Sequence, residues 1–313
     1  MIEHYVSLVN EAIEKFLPMK NPEGLYKASR HLIKAGGKRL RPVLCLLAAE
    51  ALGKDYKKIL PAAVSIESIH NFTLIHDDIM DRDDMRRGVP TVHRLYGEST
   101  AILAGDTLFA EAFKILAECE VEKKNILMAS KLLAEVCVKI CEGQYLDVSF
   151  EKRDDVSEEE YVEMVKLKTG YLIAASTSLP AILFGEEKYF QDLWDFGMLC
   201  GIGFQIHDDV LGITSEETGK DFGSDILKGK KTLIVIKAFK DGVKLKTFGK
   251  QKAELKDVLE DVKALEKCGA IDYARKKAKE FVGTGKSRLK NLKDSEAKNT
   301  LLSLADYLIS RRK

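Results

Sequence analysis

Leu74-Ile75-His76-Asp77-Asp78-Ile79-Met80-Asp81 is the stretch that decides how this 313-residue chain is read. Its apolar spacing predicts an α-helix. On that helix Asp77 and Asp81 lie four apart on one face, with Asp78 alongside and His70 two turns earlier on the same side. Carboxylates set against Phe72, Leu74, Ile75, Ile79 and Met80 are costly to keep charged, and like charges one turn apart repel. About 130 residues on, Phe204-Gln205-Ile206-His207-Asp208-Asp209-Val210-Leu211-Gly212 repeats the arrangement, with Gln205 one turn before the acids. Gly201 and Gly203 just before it permit close approach of backbone or ligand. A solvated acidic helix end explains one such motif and a buried polar turn the other, but neither explains the pair. Hard divalent cations such as Mg²⁺ take carboxylate oxygens and bridge to phosphates. Two carboxylate clusters therefore predict a cleft that holds a diphosphate through metal ions.

Working outward, basic turns recur next to acidic ones. Gly36-Gly37-Lys38-Arg39-Leu40-Arg41-Pro42 sets three cations at a glycine-to-proline junction before a helix, which suits an anion. Arg86-Arg87-Gly88 follows the first aspartate segment, and Lys168-Thr169-Gly170 interrupts an apolar helix. Gly219-Lys220-Asp221 and Gly229-Lys230-Lys231-Thr232 follow the second. Each alone reads as a solvated loop charge; together they supply what a diphosphate site needs.

The rest of the composition excludes other classes. With 50 Lys+Arg against 49 Asp+Glu the net charge is +1, which gives no global attraction to nucleic acid or to anionic membrane. The longest uncharged stretch, 169–185, falls short of the roughly 18 apolar residues of a membrane span. The start of the chain, with Glu3 and His4, does not read as a signal peptide. Six scattered cysteines without a CxxC or Cys/His cluster predict reduced core thiols and a cytoplasmic protein. No linker or repeat appears beyond the two aspartate segments, so one domain over 1–313 is expected.

Periodicity predicts an all-α chain, with helices near 2–17, 22–35, 40–52, 58–84, 94–118, 123–150, 157–184, 188–214, 229–240, 251–266, 268–285 and 291–311. Ser157-Glu158-Glu159-Glu160 fits a capping box, and Asp192 is read as a helix cap. Long helices that are apolar around much of their circumference predict a helical bundle.

At these residues the chain resembles the trans-type short-chain polyprenyl diphosphate synthases, and archaeal geranylgeranyl and farnesyl diphosphate synthases in particular. Gly36 to Pro42 resembles the family's GGKRxRP, and Asp77 to Asp81 with Arg86-Arg87-Gly88 its first aspartate-rich motif. Gly143-Gln144-Tyr145-Leu146-Asp147 is similar to GQxxD, Lys168-Thr169 to the KT pair and Gly203 to Asp209 to GFQxxDD. Lys220, Asp225, Gly229, Lys230 and Thr232 fit the closing GKxxGxDxxxGKxT. The second motif departs at Gly212, where the family often has a third aspartate.

The resemblance implies an isoprenoid-synthase bundle with a deep central cavity, a homodimer, and about three Mg²⁺ held by Asp77, Asp81 and Asp208. It implies that Lys38, Arg41, His70 and Arg87 bind isopentenyl diphosphate. Arg86, Lys168, Thr169, Gln205, Lys220 and Lys230 would face the allylic diphosphate, with Lys168, Thr169, Gln205, Asp77 and Asp208 catalytic. The implied reaction is head-to-tail condensation of isopentenyl diphosphate with dimethylallyl, geranyl or farnesyl diphosphate. Phe72, five residues before Asp77, and the small Thr73 resemble the chain-length floor of C20 synthases; a C15 or mixed C15/C20 product is the alternative. A non-catalytic regulatory subunit would be expected to have lost parts of these motifs. A terpene cyclase would have no use for Lys38, Arg41, His70 and Arg87.

Overall fold

The computed structural model describes residues 2–214 and 222–311. Lys220, expected at the allylic diphosphate, lies outside the described residues. The described chain is helical, apart from a two-stranded hairpin of Met85–Arg86 and Val89–Pro90. The all-α expectation holds, and no helix among the described residues is long and apolar enough to cross a membrane.

Two compact units can be distinguished. The first comprises Met1–Cys137, Ala175–Trp194 and Asn291–Leu301. Its centre is the helix Leu60–Met80, which packs most extensively against Glu98–Leu116 and also against Leu40–Ala51 and Ile2–Phe16. Pro61 starts this helix, in the first turn where its missing N–H is harmless. Buried Ala62, Ala63, Val64, Ile66, Ile69, Phe72 and Ile75 cover most of its surface. Glu67 is also buried, and its charge is met by Arg39, whose Nη1 donates to Oε1 at 2.9 Å.

The second unit comprises Val138–Ala174, Asp195–Lys290 and Leu302–Lys313. Here Leu233–Lys240 packs on Ala270–Arg288, Glu158–Val165 and Leu255–Lys267. Three glycines allow unusually close approach. A Cβ on Gly143 would sit 2.3 Å from the Lys168 backbone nitrogen. One on Gly201 would sit 3.0 Å from Gly170 Cα, and one on Gly203 would sit 2.8 Å from the Ala278 carbonyl oxygen.

Several expected helix ends shift for physical reasons. The helix expected over 58–84 stops at Met80 because Arg82 takes a left-handed φ of 55° and the chain enters the hairpin. That hairpin turns on Arg87 and Gly88, both with positive φ (53° and 75°), the two-residue loop whose twist matches antiparallel strands. The helix expected over 94–118 breaks at Gly97 (φ 85°) into Val92–Tyr96 and Glu98–Leu116. The stretch 157–184 is interrupted by a π-turn at Lys166–Gly170. The helix expected from 229 begins at Leu233, capped by Thr232 Oγ1, which accepts from Val235 N at 3.4 Å. The capping box at Ser157 and Glu160 forms as expected. Asp192 is no cap: the helix already starts at Phe190, and the Asp192 carboxylate accepts from Asn291 Nδ2 at 3.0 Å.

Candidate active site

In the first unit the aspartate turn and its basic partners are built by the helix end and the hairpin together. Arg86 reaches back so that its Nε donates to Asp78 Oδ1 at 2.5 Å, with Nη2 3.9 Å from Asp77 and 3.8 Å from Asp83. Asp78 is 1% exposed. Burial pushes its carboxyl up to about 6, against the opposing pull of Arg86. Its Oδ2 is buried and has no hydrogen-bond partner. Asp77 and Asp81 stay partly exposed on the same turn.

Beside this turn the hairpin delivers Arg87 to the glycine loop. Arg87 Nη1 donates to the Gly36 carbonyl at 2.6 Å and to the Leu32 carbonyl at 2.8 Å. Glycine suits position 37, whose φ of 141° is rarely adopted by residues with a side chain, and a Cβ there would lie 3.1 Å from the Arg87 guanidinium carbon. Arg41 Nη1 donates to His70 Nε2 at 3.3 Å. Burial, then the positive fields of Arg41 and Arg87, hold the His70 imidazole well below its usual range, so it is neutral near pH 7. Lys38 is exposed on the same loop. Arg41, His70 and Arg87 thus lie together beside the Gly36–Gly37 loop. Arg39 is not part of it: its guanidinium is buried against Glu67, Asn10 and the Ile33 carbonyl.

The His70 environment makes a prediction. Its folded pKa is depressed below the unfolded value near 6.5, so the unfolded chain takes up the proton first as pH falls. Stability present above pH 6.5 is then lost below it, by at most ~1.4 kcal/mol per pH unit. Urea midpoints between pH 8 and pH 5 should fall further for the parent protein than for His70→Gln. Parallel curves would rule out a buried neutral histidine.

In the second unit Asp147 joins two lysines. Lys168 Nζ lies 2.7 Å and Lys230 Nζ 3.1 Å from Asp147 Oδ2, and Lys230 also pairs with Glu151 at 2.9 Å. Burial raises the Asp147 carboxyl, but Lys168 and Lys230 outweigh it and bring it down to about 2. Thr169, on the π-turn, donates from Oγ1 to Gln205 Oε1 at 2.9 Å. Gln205 Nε2 donates to Asp209 Oδ1 at 2.9 Å, and Tyr161 OH to Asp209 Oδ2 at 2.6 Å. Burial, reinforced by Asp225, pushes the Asp209 carboxyl up to about 7. Asp208, half-buried, accepts from Arg311 Nη2, whose guanidinium lies 4.9 Å over the Phe204 ring.

The donor chemistry fits a hard divalent cation. Asp77, Asp81 and Asp208 offer only carboxylate oxygens. Among the described residues no three His, Cys, Asp or Glu side chains form a closed metal cage. The orphaned Asp78 Oδ2 adds a buried acceptor on the same turn.

A sequence model of the family described as polyprenyl synthetase matches residues 22–275. The chain belongs to the polyprenyl synthetase family. It is 57% identical to a geranylgeranyl pyrophosphate synthase from Geoglobus acetivorans, over 99% of this chain and 98% of that protein. A solved structure of the synthetase from that organism superposes with a TM-score of 0.95, at 56% identity over 99% of both chains. A geranylfarnesyl diphosphate synthase from Natronomonas pharaonis is 46% identical over 97% of this chain and 95% of its own. The polyprenyl synthase of Caulobacter crescentus CB15, solved in complex with calcium and isoprenyl diphosphate, has a TM-score of 0.90 at 30% identity over 99% of this chain and 96% of that one.

Within this polyprenyl synthetase two residues, Tyr161 and Arg311, carry no site signal in the sequence, and a third, Asp147, shows its partners only in the fold. Asp147 was visible in GQxxD, but only folding shows that it neutralises Lys168 and Lys230. Tyr161 is an aromatic residue outside every motif, and only folding sets its hydroxyl on Asp209. Arg311 sits 103 residues from Asp208 and carries no motif.

Proposed function

We propose that the protein is a prenyltransferase that condenses isopentenyl diphosphate with allylic diphosphates and releases mainly the C20 product. The observation that carries this reading is the hairpin turn that seats Arg87 on the Gly36–Gly37 loop, beside Arg41 and His70 and next to the Asp77–Asp81 turn. A positive cradle beside a carboxylate turn suits a diphosphate, and 57% identity to a geranylgeranyl pyrophosphate synthase supports the C20 product.

Lys38, Arg41, His70 and Arg87 hold isopentenyl diphosphate. Neutral His70 contributes a hydrogen bond rather than charge. Arg86, Lys168 and Lys230 hold the allylic diphosphate, and Lys220 is assigned there by its motif alone. Asp77, Asp81 and Asp208 would hold Mg²⁺, which would supply Lewis-acid neutralisation of the leaving diphosphate. The lysines and Arg86 add fixed positive charge as the allylic C–O bond breaks. Thr169, its hydroxyl proton held by Gln205, turns an oxygen dipole toward the allylic cation. The double bond of isopentenyl diphosphate attacks that cation, and the proton then lost goes to the released diphosphate. Apolar walls exclude water from the cation.

We further place the chain as a single functional domain, a homodimer and a cytoplasmic protein. Ile102, Leu103, Phe109, Leu127 and Met128 are exposed in the first unit, apolar surface that a second copy would cover. All six cysteines are free.

Product length rests on Phe72. It is buried, edge-on to Phe109 at 5.3 Å, which in turn meets Phe113 at 5.3 Å. Thr73 Oγ1 donates to the His70 carbonyl at 2.7 Å. Phe72→Ala removes the first ring of this stack and should shift product toward C25, as chromatography of the dephosphorylated alcohols would show. An unchanged spectrum would remove Phe72 from the floor.

The reading itself is tested by incubating purified protein and Mg²⁺ with labelled isopentenyl diphosphate and dimethylallyl, geranyl or farnesyl diphosphate in turn. A C20 alcohol from all three primers supports it. A C15 stop keeps the enzyme class and moves the floor; no elongation with any primer rejects the reading.

A further inference from the structure

Tyr161 has no role in the reaction as set out above, yet it closes a buried hydrogen-bond chain that ends on a residue that does. Resting on the prenyltransferase reading, we propose that Tyr161 is a positioning residue: it locks Asp209, which fixes the amide of Gln205 and so the direction of the Thr169 hydroxyl.

The geometry is a clamp between two helical segments. Thr169 and Tyr161 lie on one continuous run, the helix Glu158–Val165 passing straight into the π-turn Lys166–Gly170. Gln205 and Asp209 lie four apart on the helix Phe190–Thr214, and so on one of its faces. Each end of the first segment grips one residue of that pair, at 2.9 Å and 2.6 Å, and the 2.9 Å bond between Gln205 and Asp209 closes the set.

Donor and acceptor chemistry makes the clamp directional. Tyr161 is 1% exposed. Its hydroxyl donates to Asp209 Oδ2 at 2.6 Å. With Tyr161 on one Asp209 oxygen, the other accepts from Gln205. An amide that donates there must turn its carbonyl toward Thr169. The Thr169 proton is then committed to Gln205, and the hydroxyl presents lone pairs on its remaining side. A negative dipole is what an allylic cation needs. Remove the Tyr161 hydroxyl and Asp209 loses a partner. The Asp209 carboxylate then loses its anchor and can turn, and the Gln205 amide and the Thr169 hydroxyl lose their fixed direction with it.

The segment bearing Tyr161 is itself anchored. Its first turn holds the Ser157–Glu160 capping box, Arg153 Nη1 donates to Glu160 at 2.7 Å, and Tyr273 OH donates to Glu158 at 2.7 Å. Gly143 admits the backbone of Leu167 and Lys168, just before Thr169 in the π-turn.

Tyr161→Phe keeps the ring and deletes one hydroxyl. Expected is a fall in kcat of about 10- to 100-fold with both KM values within about twofold, because the charged diphosphate contacts are untouched. Thr169→Val in the Tyr161→Phe background should be no slower than Thr169→Val alone, because both act through one hydroxyl. A purely structural role would lower the melting temperature without this kcat-only, non-additive signature. Unchanged kcat in Tyr161→Phe, or losses that multiply in the double variant, overturns the proposal.

A second readout needs no activity. The chain has four glutamines, so ¹⁵N-glutamine labelling gives four side-chain amides, with Gln205→Glu assigning one. Slow exchange of the Gln205 amide in the parent protein, lost in Tyr161→Phe, supports the clamp; equal protection in both overturns it. If the parent protein elongates no primer, the prenyltransferase reading falls, and the exchange result alone decides whether Tyr161 holds Gln205.

Discussion

Asp77→Ala is expected to lower kcat by about 10³-fold, equivalent to ~4 kcal/mol of transition-state stabilisation, while the protein still folds. Asp77 is partly exposed at the end of a well-packed helix, so its loss leaves no cavity. Arg86 keeps its 2.5 Å bond to Asp78, so the hairpin stays seated. Removing one carboxylate from a site with no closed cage leaves Asp81 as the remaining expected metal ligand on that turn. The measurement is steady-state turnover across a Mg²⁺ titration, with circular dichroism as the folding control. Near-normal turnover at ordinary Mg²⁺ would sink the metal assignment. Partial recovery at high Mg²⁺ would place the loss in metal binding.

Asp147→Asn should have the second-largest effect, on both stability and activity. Asp147 holds Lys168 and Lys230 at 2.7 and 3.1 Å, and asparagine leaves those cations facing each other with less compensation. Losing one partner of a largely buried ion group costs about 3 kcal/mol. The lysines would also lose the anchor that aims them, and kcat/KM for the allylic substrate should fall about 100-fold. The pH dependence has a definite sign. The folded carboxyl titrates at about 2, below its usual 3.8. Its contribution, about 2 kcal/mol, is therefore full above pH 4 and lost as pH falls toward 2. Asp147→Asn should flatten that part of the acid-unfolding curve. A variant with unchanged midpoint and unchanged kcat/KM would show that the lysines need no such anchor.

What the sequence determined by itself is the part of the molecule governed by local chemistry. Helical periodicity specified the all-α architecture, because an apolar stripe of period 3.6 has no other way to be buried. The capping box at Ser157 was legible because its two hydrogen bonds lie within four residues. Asp77 with Asp81, and Gln205 with Asp209, were legible as pairs because i,i+4 residues share a helix face.

What only the tertiary structure decided depends on approaches between residues far apart in the chain. Arg87 finds the Gly36 carbonyl 51 residues away because a left-handed Arg82 and the Arg87-Gly88 turn reverse the chain, where periodicity alone predicted helix up to residue 84. Lys168 and Lys230, each a solvated charge when taken singly, are set on Asp147, 21 and 83 residues away, only by folding. The π-turn that aims Thr169 has no local signal; it is accommodated because Gly143 lets the Lys168 backbone approach where a Cβ would clash. Tyr161 is an ordinary apolar-face residue in the sequence and becomes a buried donor only because Asp209 arrives from 48 residues away. Burial and charge at a site depend on every segment that converges there, and spacing along one helix does not encode that sum.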